Sequence, residues 1–175
     1  SEHKGILCPY GERISMQGEL DIDAPTCPVF VAALGPQMLK LAGQKAAGII
    51  TWMVGINTLR ELTVPTVTAA AERADRDTPE IVVGLPVCVT DDPTDARSRL
   101  VDSLRRYGDL PAYRRMIDRE GFESPGEICV MGDEAQVASD LADYFDAGVT
   151  SIAAAPSGTE EEVDRTRAFL ASLVS

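Results

Sequence analysis

The stretch PVFVAALGPQMLKLAGQKAAGIITWM, residues 28–53, constrains the fold more than any other. It holds an apolar run (29–34), a Gly-Pro pair, a segment of helical periodicity and a second apolar run (49–53). Runs that are apolar at successive positions belong to strands buried on both faces, the habit of parallel sheets. Two adjacent parallel strands need a crossover, and the residues between them predict a helix over 36–47. Pro36 suits the first helical position, where a missing N–H costs nothing, and Gly48 ends the helix. The expected inward face is Met38, Leu39, Leu41 and Ala42.

The same alternation recurs along the chain. The run EIVVGLPVCVT over 80–90 predicts a third strand, with a bulge or irregular edge at Gly84 and Pro86. A fourth covers 150–155. Helices are expected over 57–75, split at Pro65, over 93–107, capped by the Asp91-Asp92-Pro93 start, and over 109–120. An insertion with a short helix or turn follows over 121–131. Asp133 with Gln136 opens a helix carrying Val137, Leu141, Tyr144 and Phe145 that ends at Gly148. A last helix over 160–173 carries Val163, Phe169 and Leu173 on its core face. Residues 1–27 are weakly patterned and read as an irregular segment or a short hairpin, leaving 28–175 as the folded unit.

Four βα units make an α/β chain with a parallel sheet. Periodicity leaves two architectures open: a small doubly wound sheet, or half of an eight-stranded barrel whose full size is about 250 residues. In both, ligands sit at the carboxyl ends of the strands. Those ends are residues 32–35, 51–55, 90–92 and 154–158.

Charge and cysteine usage narrow the function. A net charge of −12 opposes non-specific binding to nucleic acid or to an anionic membrane surface. No apolar run has the length of a membrane span. The cysteines, Cys8, Cys27, Cys88 and Cys129, form no CxxC pair, and His3 is the sole histidine, so no metal site is expected. Widely spaced thiols fit a reducing cytoplasm.

The AALGP turn (Ala32, Ala33, Leu34, Gly35, Pro36) fits phosphate capture at a helix start, although an ordinary βα turn is the commoner reading of its chemistry alone. Trp52, the only tryptophan, ends the second strand after Thr51, where it can line a planar ligand or fill the core. Asp91 and Asp92 read as a helix cap, and Glu160, Glu161 and Glu162 as a favourable first turn. Arg105, Arg106, Arg114 and Arg115 suit either a solvated surface or an anionic tail. The residue set offers no general base, nucleophile or metal set, so the catalytic residues are unknown and a cofactor would carry the chemistry.

PVFVAALGPQMLKLAGQKAAGII resembles the segment that opens the second half of the luciferase-like monooxygenase superfamily. IVVGLPVCVTDDPTDARSRL and GDEAQVASDLADYFDAGVTSIAAAP are similar to its later units, most closely in the branch that uses the deazaflavin coenzyme F420. The resemblance implies the C-terminal half of a (β/α)8 TIM barrel, with proton-transfer residues in the absent first four strands. It implies an oxidoreductase transferring hydride between F420, or alternatively FMN, and a small organic substrate. An inactive half-barrel assembly module is the other expectation, with a homodimer or the missing half as partner. By position, the cofactor would lie against Ala32, Ala33, Leu34, Gly35 and Met38, and near Thr51 and Trp52. Many relatives carry Asp-Gly where this chain has Ala47-Gly48.

Overall fold

The computed structural model describes residues 27–174 together with two short strands, β1 (Ile6–Leu7) and β2 (Gly18–Glu19), which pair antiparallel. The remainder of the expected hairpin segment, with His3 and Cys8, lies outside the described residues. A parallel sheet follows, built from β3 (Phe30–Ala32), β4 (Gly48–Trp52), β5 (Glu80–Val89), β6 (Val130–Gly132) and β7 (Ser151–Pro156). The helices are α1 (Pro36–Lys45), α2 (Ile56–Thr58), α3 (Val64–Glu72), α4 (Pro93–Asp109), α5 (Pro111–Glu120), α6 (Glu134–Asp146) and α7 (Glu160–Leu173).

One face of the sheet is covered and the other is open, which separates the two architectures. Register puts Ile49 beside Ile81, Thr51 beside Val83 and Val83 beside Ile152. Ile49, Ile81 and Val83 are buried in one cluster with Leu39 and Ala42 of α1, Val67 of α3 and Val137 of α6, and Thr51 is buried on the same face. The opposite face carries Phe30, Ile50, Val82 and Ala153. There Phe30 is 39% exposed and Ile50 41%. A doubly wound sheet would bury both faces under helices. Helices on one side of parallel strands are the wall of a barrel, and the open face is its lumen.

β5 is the spine. Its first half pairs with β4 and its second half with β6 along one edge, while β7 runs along the other. The expected break at Gly84 and Pro86 is absent, and the strand is continuous over ten residues. Even-numbered residues of β5 bond toward the β4 and β6 edge: Glu80 donates to Ala47, Gly84 accepts from Met53 and Thr90 donates to Gly132. Pro86 falls where pairing with β4 has ended at Gly84 and pairing with β6 has not begun at Val87. Its missing N–H therefore breaks no ladder bond. β6, a three-residue strand in the expected insertion, adds a fifth strand to the four βα units.

Pro65 does not split its helix. Five residues, Leu59–Thr63, form a π turn in which Val64 N–H donates to Leu59 O, so Ile56 to Glu72 runs as one helix. Pro65 cannot donate to an α-type ladder, and the wider turn absorbs that loss. Three expected core positions, Met38 and Leu41 of α1 and Leu173 of α7, are corrected to solvent; Met38 and Leu41 are 42% and 45% exposed, while Leu39 and Ala42 are buried as expected, with Gly43 beside them. Phe145 and Leu173 are each 50% exposed. The helix caps hold: Asp92 accepts from Asp95 N–H at 3.0 Å and Asp133 from Gln136 N–H at 2.8 Å.

α4, α5, a 3-10 turn (Pro125–Ile128) and β6 form the insertion between β5 and α6. Its anchor is Glu120, at the end of α5. The carboxylate accepts from Asn57 N–H (3.0 Å), Thr58 N–H (2.7 Å) and the Thr58 hydroxyl (2.5 Å). A carboxylate on the free N–H groups of a helix start meets both their hydrogen-bonding need and the helix dipole. Gly55 makes room, since a Cβ there would meet the Glu120 side chain.

Candidate functional site at the carboxyl ends of β3 and β4

The AALGP turn is built as its sequence requires. Gly35 is the N-cap of α1 in extended backbone, and Pro36 opens the helix. Glycine offers no capping side chain, so the first-turn N–H groups of Gln37 and Met38 are left without an intrahelical or side-chain partner. Gln37 and Met38 line a cleft of about 770 Å³. Leu34, Gly35, Pro36, Gln37 and Met38 line one side, Leu62 of the π turn joins them, and Ala112, Arg115, Met116 and Arg119 of α5 close the other.

The expected site residues divide. Leu34, Gly35 and Met38 meet in the cleft. Ala32 lies exposed on the lumen face, while Ala33 is buried and donates its N–H to Ile50 O at 3.3 Å. The Thr51 side chain lies on the covered face and its hydroxyl donates to Val82 O at 3.4 Å, so only its backbone reaches the strand end. Trp52 faces the lumen, lying across Gly84 of the neighbouring strand. Its ring centroid is 6.5 Å from that of Tyr107, which stands edge-on to Tyr113 at 5.0 Å. The α4–α5 corner thus brings an aromatic wall to the top of the lumen.

Two features of this end were not foreseen. Met53 adopts φ +52°, a left-handed conformation that costs a non-glycine residue of order 1–2 kcal/mol. It is fixed by burial and by its N–H donating to Gly84 O at 2.9 Å, and it turns the chain from β4 into α2. The Trp52 indole Nε1 is buried with no hydrogen-bond partner among the described residues. A buried unpaired donor is costly, and this one lies closed to solvent where the indole packs between Gly84 and Tyr107. The open, apolar lumen face, the aromatic wall and the uncapped helix start therefore fit a planar cofactor with an anionic side chain.

The loops after β5 and β7 leave a smaller cleft, about 270 Å³, lined by Thr90, Asp91, Asp92, Glu161, Glu162 and Arg165. Glu162 occupies the space between the two loops, taking a paired hydrogen bond from Arg99 at 2.8 and 2.9 Å, one from the Thr90 hydroxyl at 2.8 Å and one from Thr159 N–H at 2.7 Å. These bonds, Arg99 foremost, hold its carboxyl down at about 2. In many barrels these last two loops bind phosphate; here a side-chain carboxylate fills the position. On α5, Arg114 is likewise spent on structure, donating to Phe122 O and Glu123 O at 2.9 Å. No group of three or more His, Cys, Asp or Glu residues among the described residues is arranged for a metal ion. No helix among them is long and apolar enough to cross a membrane.

Comparison with known proteins identifies the fold and the family. The chain is 31% identical over 104 residues to an uncharacterized protein of Mycobacterium tuberculosis, covering 56% of this chain and 31% of that protein. It thus spans about a third of the length of that relative. A coenzyme F420-dependent tetrahydromethanopterin reductase from Methanopyrus kandleri superposes with a TM-score of 0.63 at 19% identity, over 77% of this chain and 47% of the reductase. The oxygenating constituent of 3,6-diketocamphane monooxygenase from Pseudomonas putida, solved with FMN, superposes with a TM-score of 0.56 at 15% identity, over 95% and 55%. The profile of the luciferase-like monooxygenases matches residues 4–163, and the chain belongs to that family.

Proposed function

We propose that these 175 residues are the C-terminal half of an F420-dependent oxidoreductase that transfers hydride between the deazaflavin and a small organic substrate. The observation that carries this is the cleft at the start of α1, where an uncapped helix start, two arginines and the apolar side chains of Leu34, Met38, Leu62 and Met116 meet. The two solved relatives, one F420-dependent and one holding FMN, support the cofactor class. The sequence likeness to the F420 branch favours the deazaflavin. FMN is the second reading, favoured by the structure of the Pseudomonas enzyme.

The cofactor, when bound, supplies the hydride chemistry. This chain's residues bind and shield: Gln37 and Met38 N–H groups offer donors to an anion, Leu34 and Met38 pack on the adjoining chain, and Trp52 walls the ring. Ala32, on the lumen face, lets a ring approach the backbone. Residues 28–175 form the half-barrel and the other half closes over its lumen. The test is a difference-spectrum titration of the full-length protein with F420 and with FMN. Tight F420 binding is expected. Tight binding of FMN alone reassigns the protein to the flavin enzymes, and binding of neither overturns the cofactor reading.

A further inference from the structure

We propose that α5 is a grip for the anionic side chain of the cofactor, with Arg115 as the selective residue and Arg119 as its neighbour. The inference rests on the cofactor reading above and adds to it the element that chooses between tails.

Charge distribution carries the assignment. In a chain of net charge −12, the cleft at the start of α1 is lined by two arginines and no carboxylate. The cleft beside α3 is lined by Glu72, Asp75 and Asp77 with Arg76, whose guanidinium is bonded to the Gly43 and Ala46 carbonyls, and the cleft under α5 by Glu120, Glu127, Asp140 and Asp143; a cleft on α4 holds a single arginine, Arg97. Local sign decides where an anion settles, whatever the total charge. The two arginines are not equivalent. Arg119 stands 3.7 Å from Glu61, which holds part of its charge. Arg115, exposed, has no ion-pair partner among the described residues and lies one helical turn earlier on the same face. Its sequence neighbour Arg114 is turned to the loop carbonyls of residues 122 and 123. A guanidinium left free at a cavity rim, opposite uncapped N–H groups, suits phosphate and carboxylate oxygens alike.

FMN offers one phosphate to such a grip. F420 carries a phosphodiester followed by several carboxylates, so it has charge left for Arg115 after its phosphate meets α1. The grip would therefore favour the longer tail.

The experiment measures affinities of the full-length protein and its Arg115→Glu, Arg115→Lys and Arg119→Gln variants. The probes are F420, FMN, and the deazaflavin chromophore with its ribityl chain but no phosphate. Loss of one charge-assisted contact is worth about tenfold or more. Expected is a loss of that size for F420 in Arg115→Glu, a smaller one for FMN, no change for the chromophore, and recovery in Arg115→Lys. Arg119→Gln is expected to lose less. Equal losses for F420 and the bare chromophore, or wild-type F420 affinity in Arg115→Glu, overturn the grip while leaving the cofactor reading intact. No binding of any probe by the wild type overturns both. Unchanged far-UV circular dichroism confirms that the exposed substitution leaves the fold alone.

Discussion

Gly84→Ala tests the geometry of the lumen face. The glycine pairs with Trp52 in register, and the indole lies across it. An added Cβ would sit 2.5 Å from Trp52 Cε3 and 3.1 Å from both Cζ3 and the Thr51 carbonyl oxygen. The carbonyl belongs to the ladder and cannot retreat, so the indole must move. Such overpacking costs about 1–3 kcal/mol. Against it stands the reduced entropy of the unfolded chain when glycine becomes alanine, about 0.4–1 kcal/mol. Steric cost wins, and a net loss of about 1–2 kcal/mol is expected from these two terms. Urea unfolding reads the energy. Trp52, the only tryptophan, reads the displacement through its emission maximum and near-UV signal. Gly108→Ala is the control, because a Cβ there meets only Pro125 at 3.6 Å inside α4 and should stabilise by about 0.5–1 kcal/mol. Wild-type stability and an unshifted Trp52 signal in Gly84→Ala would refute the placement of the ring on the lumen face.

Glu120→Ala removes an acceptor shared by two backbone N–H groups and a hydroxyl. A loss of about 1.5–3 kcal/mol is expected, with faster proteolysis of the α4–α5 insertion as its signature. The Glu162 carboxyl is held at about 2 by Arg99, below its ordinary 4.5. A lowered folded value means that its stabilisation is complete above about 4.5 and is lost as pH falls toward 2. Glu162→Gln should therefore flatten the decline of Tm across that window while lowering Tm at neutral pH.

Much of the fold is legible in the sequence because buried parallel strands announce themselves as unbroken apolar runs. Residues 80–89 and 151–156 are recognisable for that reason, and Gly35-Pro36, Asp92 and Asp133 mark helix starts by local chemistry. What stayed hidden depends on distant partners. The three residues of β6 become a strand only because β5 outruns β4 and leaves an edge to fill. Pro86 looks like a breaker until the pairing shows that its position needs no donor. Met38 and Leu41 satisfy an apolar periodicity yet stand exposed, Met38 at the cleft. Of the candidate site, Leu34, Gly35, Met38 and Trp52 are brought to the strand ends, but Thr51 is turned inward by strand alternation. No local signal points to Glu120, whose partners lie more than sixty residues away.

The central claim, a cofactor held between the α1 start and the Trp52 wall, is tested most directly by Trp52 fluorescence during titration of the full-length protein with F420. An F420 ring on the lumen face should quench the sole indole saturably, with the same midpoint as the absorbance change. Saturable binding that leaves Trp52 emission untouched would place the cofactor elsewhere and contradict the claim.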